Sequence, residues 1–368
     1  MAASYRTALW RGRSRPPLPA PHVLHSPPMR VLATVMLAAL PLSAQFRSTV
    51  PLVVAPVTVQ DAKGNFIDGL TERELVVFDN NVPQKIQVDT ELHPISLVVL
   101  IEANSASAAI LDKLRNSGPL FSDLLAGDAG ETAILSFSAQ PKLIQDFTTD
   151  SRPLTHALHN LRVQGDACSL LDGVDESLQM LAARDARRRR VLLVIAERRD
   201  RSSRLKFADL LRQSQLQNTA IYWLTYSTFL TPFTNRPKTV WDRMTDEQKS
   251  DPKRMHSSKY PLPEETAPLP PDMAPGGLLS VFTEAFHKTA PDAATLLSAA
   301  TSGRTFSFLK QSGLEDAIQA VGREVHRQYI VTFQPKSDIA GLFHPMRAEV
   351  KGRPDLQVRT RSGYWSVP

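Results

Sequence analysis

Residues Leu97–Ser107 read LVVLIEANSAS, and this stretch predicts the centre of the fold. Its first five residues, Leu97–Ile101, are apolar without a break, which is the pattern of a strand buried on both faces. A carboxylate, Glu102, follows directly, and small polar residues follow within Asn104–Ser107. Because open α/β sheets bind ligands where their strands end, we expect a ligand site at this position.

From Ile95 onward, predicted strands and helices alternate, which is typical of a mostly parallel sheet. Apolar runs predict further strands at 132–137, 143–147, 191–195, 220–226 and 305–308, and we expect the strand at 143–147 to lie at an edge. Helical periodicity predicts helices at 106–125, 151–161 (with Ser151 as N-cap), 169–183, 207–216, 293–301 and 314–328. The segment 94–328 is therefore predicted to be one α/β domain.

The segments on either side of the α/β domain are predicted to form β structure. Residues 45–93 form an N-terminal β module, in which Asp79-Asn80-Asn81 is a hairpin signal. Residues 329–368 contain three strand patterns with no helix between them, and we expect these strands to complete the small N-terminal sheet.

The first 44 residues predict targeting rather than folded structure. Residues 1–28 are an Arg- and Pro-rich leader, and Met29 is an alternative start. Residues 29–44 resemble a signal peptide, with Arg30 before an apolar core and small residues at the end. We expect cleavage near Ala44, export to the periplasm, cell envelope or outside of the cell, and no integral membrane span in the mature protein.

The composition excludes several classes of function. The first 44 residues hold five of the 43 basic residues and no acid, so the remainder carries 38 basic and 37 acidic residues. This near-neutral body gives no reason to expect nucleic acid as a partner. We interpret the run Arg187–Arg190 as a solvated turn, with a binding patch as the alternative. Residues 228–278 are Pro-rich, and we interpret them as an insertion that is either disordered or a partner-binding lid.

The chain resembles the von Willebrand factor type A (VWFA)-related exported proteins of bacteria. The resemblance rests on VTVQDAKGNFIDGLTERELVVFDNNVPQKI (57–86), TSGRTFSF (301–308) and VKGRPDLQVRTRSGYW (350–365), together with the LVVLIE strand. It implies an α/β fold with a VWFA-like doubly wound, mostly parallel sheet and helices on both faces. From the strand patterns at both ends, we also expect the small β module to be built from N- and C-terminal segments.

The resemblance further implies a metal-ion-dependent adhesion site made of an Asp-x-Ser-x-Ser loop, a Thr and a second Asp. The matching positions here hold Glu102, Asn104 and Ala106 in the first loop, Cys168 in the second and Glu197 in the third. We interpret Glu102, Asn104 and Glu197 as the remnant of a degenerate site that holds no cofactor, because alanine and a soft thiol replace oxygen ligands. The alternative is a reshaped site that binds Mg²⁺ or Ca²⁺ weakly.

These observations favour an exported, non-enzymatic protein that mediates adhesion or interaction with an unidentified protein partner. One alternative is a hydrolase that uses Cys168, with His156 or His159 as a base, or a reshaped metal site. Another alternative is a structural component of the envelope. The sequence contains no G-x-G-x-x-G, P-loop, H-E-x-x-H or G-x-S-x-G motif, and we predict no catalytic residue.

Overall fold

The structure is a computed structural model that describes residues 52–89, 91, 93–197, 200–226, 292–308, 311–335 and 342–366. The predicted leader, signal peptide and Pro-rich insertion lie outside these residues. Among the residues that are described, no helix is both long and apolar enough to cross a membrane.

In the described part of the chain, four strands come first, strands and helices then alternate, and four strands follow the last helix. The strands are β1 (Val53–Gln60), β2 (Leu75–Asp79), β3 (Val82–Pro83), β4 (Ile86–Asp89), β5 (Ile95–Glu102), β6 (Glu131–Phe137), β7 (Pro141–Thr148), β8 (Arg189–Ile195), β9 (Thr219–Thr225), β10 (Thr305–Ser307), β11 (Tyr329–Phe333), β12 (Phe343–Val350), β13 (Gln357–Arg359) and β14 (Gly363–Trp365). The α-helices are α1 (Ala108–Leu114), α2 (Ser151–Asn160), α3 (Leu170–Ala182), α4 (Phe207–Leu216), α5 (Ala293–Ala300) and α6 (Gln311–His326).

A six-stranded sheet with the order β10-β9-β8-β5-β6-β7 forms the α/β domain. The LVVLIE run lies in β5, a central strand whose eight residues are all buried. It pairs in parallel with β6 on one side and with β8 on the other. Only β7 is antiparallel within this sheet, and it lies at the edge, as the sequence predicted. The fold is therefore doubly wound and mostly parallel.

Helices cover both faces of this sheet because β5 is apolar on both. Leu97 and Val99 pack in one cluster with residues of α1, α2 and α6. Val98 and Leu100 point to the other face and pack with residues of α3, α4 and α5. A strand buried in this way has no polar side, which explains why its sequence shows no alternation.

The predicted helix at 106–125 is wrong in one respect, because the structure divides it into two segments. A 3₁₀ turn at Ser105–Ser107 leads into α1, and a separate π-helical segment follows at Leu120–Ala126. Pro119 precedes the second segment and lacks the N–H that a continuous α-helix would need. A Cβ on Gly118 would lie 2.2 Å from Thr155 Oγ1 in α2, so this break also lets the backbone approach that helix closely.

The predicted N-cap of the second helix is also corrected. Ser151 is already the first residue of α2, and Asp150 is the N-cap. Asp150 has an extended backbone, and its Oδ1 accepts a hydrogen bond from the Arg152 N–H at 2.9 Å. The aspartate one residue earlier accepts the hydrogen bond from the first turn of the helix that was predicted for the serine side chain.

The β module is built from both ends of the chain, as predicted, but it consists of two four-stranded sheets instead of one. Their orders are β13-β1-β11-β4 and β14-β12-β2-β3. Antiparallel pairs join early and late strands in both sheets, β1 with β11 and β2 with β12. One apolar cluster contains residues of both sheets, including Val57, Val77 and Phe333. At the predicted hairpin, Asn80 and Asn81 have φ of 48° and 63°, which suits a two-residue turn between β2 and β3.

The interpretation of Arg187–Arg190 as a solvated turn is wrong for most of the run. Arg189 and Arg190 belong to β8 and are partly buried. Arg188 Nε lies 2.7 Å from Ser96 Oγ and 3.1 Å from Glu131 Oε1. The run therefore joins the amino ends of β5, β6 and β8, and Arg187 alone is fully exposed.

Polar side chains fix the β module against the α/β domain. The buried Arg361 donates to the carbonyl of Gln215 at the end of α4, and its Nη1 lies 3.2 Å from Asn218 Oδ1. Gln328 Nε2 donates to Tyr222 Oη at 3.1 Å and to Thr58 Oγ1 at 3.3 Å. Buried hydrogen bonds of this kind orient the two parts relative to each other.

Candidate functional site

The candidate site lies at the carboxyl edge of the parallel sheet. β5 ends at Glu102, β8 ends shortly before Glu197, and β9 is followed by Tyr226. Because these strands are parallel, their ends meet at one edge. Glu197 and Tyr226 lie 95 and 124 residues after Glu102 in the chain, and both are beside it at this edge. We call the surface formed by residues 103–107, 165–169 and 200–203 the strand-end face.

Glu102 is the centre of a buried hydrogen-bond cluster. Its side chain is 1% exposed. Oε2 accepts from the Glu197 N–H at 2.7 Å and from the Tyr226 hydroxyl at 2.8 Å. Oε1 accepts from Asn104 Nδ2 at 2.6 Å and from the Cys168 thiol at 3.5 Å. Four protein donors therefore surround one carboxylate.

Burial raises the pKa of Glu102. The negative charge of Glu197 acts in the same direction, whereas the hydrogen bonds from Glu197 N–H and Tyr226 lower it. The donors around the carboxylate are neutral groups, so they stabilise its charge less than an arginine or lysine would.

Asn104 is also committed to internal bonds. Its Oδ1 accepts from the backbone N–H of Ala106 at 3.0 Å and of Ser107 at 3.1 Å. The asparagine is therefore the N-cap of the Ser105–Ser107 turn, while its amide donates to Glu102. Both ends of this side chain hold the loop that follows β5 in place.

Glu197 joins the cluster through its backbone instead of its carboxylate. Its N–H donates to Glu102, and its Oε2 lies 3.8 Å from Arg201 Nη2. The structure thus brings together Glu102 and Asn104 through their side chains, and it places the third predicted residue beside them.

The second and third loops are held together by carboxylates that the sequence reasoning did not assign. Asp200 Oδ1 accepts from the Leu170 N–H at 2.9 Å. Asp172 accepts from the N–H groups of Arg204 at 3.0 Å and Leu205 at 3.1 Å. Asp172 lies four residues after Cys168, and Asp200 lies three residues after Glu197, but only the fold shows that each aspartate caps the backbone of the other segment.

Cys168 lies inside the cluster and is 2% exposed. Burial raises its pKa well above the ordinary value for a thiol, and the adjacent Glu102 carboxylate adds to this effect. His156 and His159 lie on the exposed side of α2. The thiol is therefore a buried hydrogen-bond donor in this arrangement, and burial and charge both disfavour its nucleophilic thiolate form.

The residues at the predicted metal positions do not fit a hard divalent cation as they are arranged. Mg²⁺ needs several oxygen lone pairs directed at one point. Both carboxylate oxygens of Glu102 already accept hydrogen bonds, and Asn104 Oδ1 accepts two. The carboxylate that remains, Glu197, faces Arg201. Ala106, which stands at the position of the second serine in the first loop, offers no side-chain ligand.

A second group of ligand-type side chains lies elsewhere, at the end of β4 and in the residues that follow it. Ligand atoms of Asp89, Glu91 and His93 lie within 4.8 Å of one another. His93 Nε2 is 2.6 Å from Asp89 Oδ2, and the Glu91 N–H donates to Asp89 Oδ1 at 2.9 Å. Local hydrogen bonds within one short, partly exposed segment account for this approach.

Comparison with known proteins gives structural similarity only. No family model and no curated protein matches the chain. The protein BatB from Bacteroides thetaiotaomicron matches 62% of this chain and 99% of its own at 8% identity, with a TM-score of 0.39. The SpRpn10 VWA domain matches 36% of this chain and 76% of its own at 15% identity, with a TM-score of 0.30.

A von Willebrand factor type A protein from Catenulispora acidiphila matches 50% of this chain and 42% of its own, at 12% identity and a TM-score of 0.33. The solved structures to which the chain is similar therefore include von Willebrand factor type A domains, and its α/β region has the doubly wound, mostly parallel sheet expected from the resemblance to that family.

Proposed function

We propose that this chain is an exported, non-enzymatic protein that mediates interaction or adhesion, and that its strand-end face binds a protein partner without a bridging metal ion. The observation that carries the proposal is the commitment of both Glu102 oxygens to protein donors. An ion-dependent site would need those oxygens for the cation. Here hydrogen bonds give the loops after β5 and β8 the order that an ion would otherwise supply.

The surface above this cluster is suited to contacts with a protein. Ser105 Oγ donates to Asp166, and Arg201 stands beside Glu197 with its side chain 47% exposed. The backbone of this surface is cross-linked, since the Ser105 N–H donates to the Gly165 carbonyl at 2.9 Å. Exposed charges on ordered loops provide specificity at low conformational cost.

Export is the part of the proposal that rests on sequence alone. Residues 29–44 have the order of charged start, apolar core and small residues that signal peptides share. Fractionation of a chain tagged at its C-terminus tests this part. We expect a shortened species outside the cytoplasm, and a full-length cytoplasmic species would contradict export.

The hydrolase alternative is less well supported by the geometry. A thiol hydrolase needs a thiolate within hydrogen-bond reach of a base. Cys168 is buried, donates to a carboxylate and has a raised pKa. A thiol-reactive probe should label Cys168 far more slowly than free cysteine. Rapid labelling would favour the hydrolase.

Affinity capture from the native envelope fraction tests the interaction. The tagged full chain is compared with Arg201→Glu, which reverses a charge on the strand-end face, and with Lys351→Glu, which reverses an exposed charge in the β module. With a chelator present, we expect the wild type and Lys351→Glu to capture the same partner protein. Arg201→Glu should capture much less of it.

Two results would contradict the proposal. Loss of the partner on chelation, with recovery when Mg²⁺ is restored, would show that binding needs the ion. Absence of any saturable partner in repeated captures would favour the alternative of a structural envelope component.

A further inference from the structure

Among the described residues, the edge strand β7 has no strand paired to its outer side. Among the described strands it is hydrogen-bonded to β6 alone, and it is eight residues long. Its pairing with β6 is regular from Pro141 to Leu143, and the register shifts on either side of Gln145. Leu143 is 50% exposed. An edge strand with an exposed apolar side chain is a template for one more strand.

A groove of about 460 Å³ lies between this strand and α2. Its floor includes Ala157 and Leu161, which are buried, and the partly buried Ile144. Exposed side chains of Lys142, His156 and Arg162 line it as well. The groove therefore joins an apolar base to a polar rim directly beside the strand edge.

The charge of the groove is positive. Its lining includes the basic side chains of Lys142 and Arg162, and no aspartate or glutamate of the described residues lines it. Asp146, the acid on the same strand, is not among the lining residues, and it interacts electrostatically with Arg184. Arg162 Nη1 donates to the carbonyls of His159 and Leu161 at the end of α2, and bonds to neutral carbonyls leave the guanidinium charge in place.

The position of Lys142 on the edge restricts which strand can pair there. Lysine at an edge disfavours apolar or basic strands, and its complement is an acidic strand. The wall of the groove is also ordered, because the Gln164 N–H donates to the Ala103 carbonyl at 2.7 Å and its Nε2 donates to Ser136 Oγ at 2.8 Å. These bonds connect the groove to the loop that follows Glu102.

We propose that an extended, acidic segment of a partner protein adds to β7 as a strand, with carboxylates on the groove side against Lys142 and Arg162 and the alternate, apolar side chains on the opposite face beside Leu143. The inference rests on the proposed interaction function and extends it by naming a second surface and the chemistry of its partner. Backbone pairing supplies affinity, and the cationic rim selects acidic over basic segments.

The test uses the full chain and a fluorescein-labelled peptide of about ten residues that alternates aspartate and valine, read by fluorescence anisotropy. We expect saturable binding that weakens as salt is added. The double variant Lys142→Glu/Arg162→Glu should bind about tenfold more weakly. The matched double variant Lys85→Glu/Lys351→Glu changes the net charge equally on exposed positions of the β module and should bind as the wild type does.

A second peptide has the same side chains but carries N-methyl groups at alternate residues, so that one edge loses its backbone donors. It should bind at least several-fold more weakly than the parent. No saturable binding of the parent, equal weakening by both double variants, or equal affinity of the two peptides would overturn the inference. If the inference fails while Arg201→Glu still loses its captured partner, the proposed function stands and only this surface is rejected.

Discussion

Two glutamates at opposite ends of the same pair of strands have opposite environments. Glu102 ends β5, and Glu131 begins the adjacent β6, opposite Ser96. Glu102 accepts bonds from neutral donors and is almost fully buried, so burial raises its pKa. For Glu131, burial also acts upward, but bonds from Arg184 and Ser96 and the charge of Arg188 outweigh it and lower the pKa.

The difference separates two ways of using a carboxylate at a sheet edge. At the amino edge, the Glu131 side chain is 12% exposed and pairs with two guanidinium groups. At the carboxyl edge, the donors to Glu102 are a hydroxyl, an amide, a backbone N–H and a thiol. The first arrangement is an ion pair that holds strands together, and the second is a closed hydrogen-bond cluster.

The largest predicted effect is that of Glu102→Ala. The substitution leaves the Glu197 N–H, the Tyr226 hydroxyl and the Asn104 amide buried without their acceptor, so we expect the free energy of unfolding to fall by about 3–5 kcal/mol. Urea denaturation of the variant and of Glu91→Ala, an exposed control, measures this. A loss below about 1 kcal/mol would show that water or an ion replaces the carboxylate readily.

Glu131→Gln should have a smaller effect, about 1–3 kcal/mol, because two charge-assisted hydrogen bonds are replaced by weaker ones at a site that water partly reaches. Glu176→Gln on the exposed side of α3 is the matched control and should change stability by less than about 0.5 kcal/mol. Equal effects of the two substitutions would mean that the arginine pairs contribute nothing measurable.

Tyr226→Phe removes one donor to Glu102 and leaves the others, so we expect a loss of about 1–2 kcal/mol. In the Glu102→Ala background the same substitution should cost less, because the hydroxyl has no carboxylate to bond. A double-mutant cycle by urea denaturation gives the coupling between the two residues. Full additivity would contradict the direct bond.

The pH dependence of stability should separate the two glutamates further. The folded-state pKa of Glu131 is lowered, so its stabilisation is complete above the unfolded value of about 4.3 and is lost as the pH falls through the folded-state pKa. The stability difference between the wild type and Glu131→Gln should therefore shrink below about pH 4.3. A difference that stays constant down to pH 3 would contradict the lowered pKa.

The smallest effect is expected from metal ions. Isothermal titration of the chelator-treated protein with Mg²⁺, Mn²⁺ and Ca²⁺ should give no saturable heat, and Mg²⁺ should shift the Tm by less than about 1 °C, since an ion that does not bind the folded state cannot stabilise it. Saturable binding that Glu102→Ala abolishes would show instead that the cluster opens to hold an ion.

Much of the fold followed from local pattern. The apolar run of β5 and the helical periodicity of apolar residues in α3 and α6 were sufficient to predict these elements. Errors arose where a neighbour in space decides the outcome. The break before Leu120 depends on the approach of Gly118 to Thr155, and the ordering of the Arg187–Arg190 run depends on Glu131 and Ser96.

The candidate site was predicted in part. Glu102 and Asn104 were predicted as ligands of a remnant metal site, a role that stays a prediction, and the structure joins the two side chains by a direct hydrogen bond. Tyr226 was not predicted to contribute to the site, although it directly follows a parallel strand and therefore belongs to the same edge. That position was a usable signal, because the carboxyl ends of parallel strands converge.

The sequence by itself determined that a buried strand delivers a glutamate to the edge of a doubly wound sheet, because five consecutive apolar residues are stable only between two covered faces. Only the tertiary structure decided which groups donate hydrogen bonds to that glutamate. Its donors come from Glu197 and Tyr226, far along the chain, and a carboxylate bonded to them is a different chemical group from one that faces a cation. Hydrogen bonding depends on distance and direction between atoms, and the folded arrangement of the strands sets both.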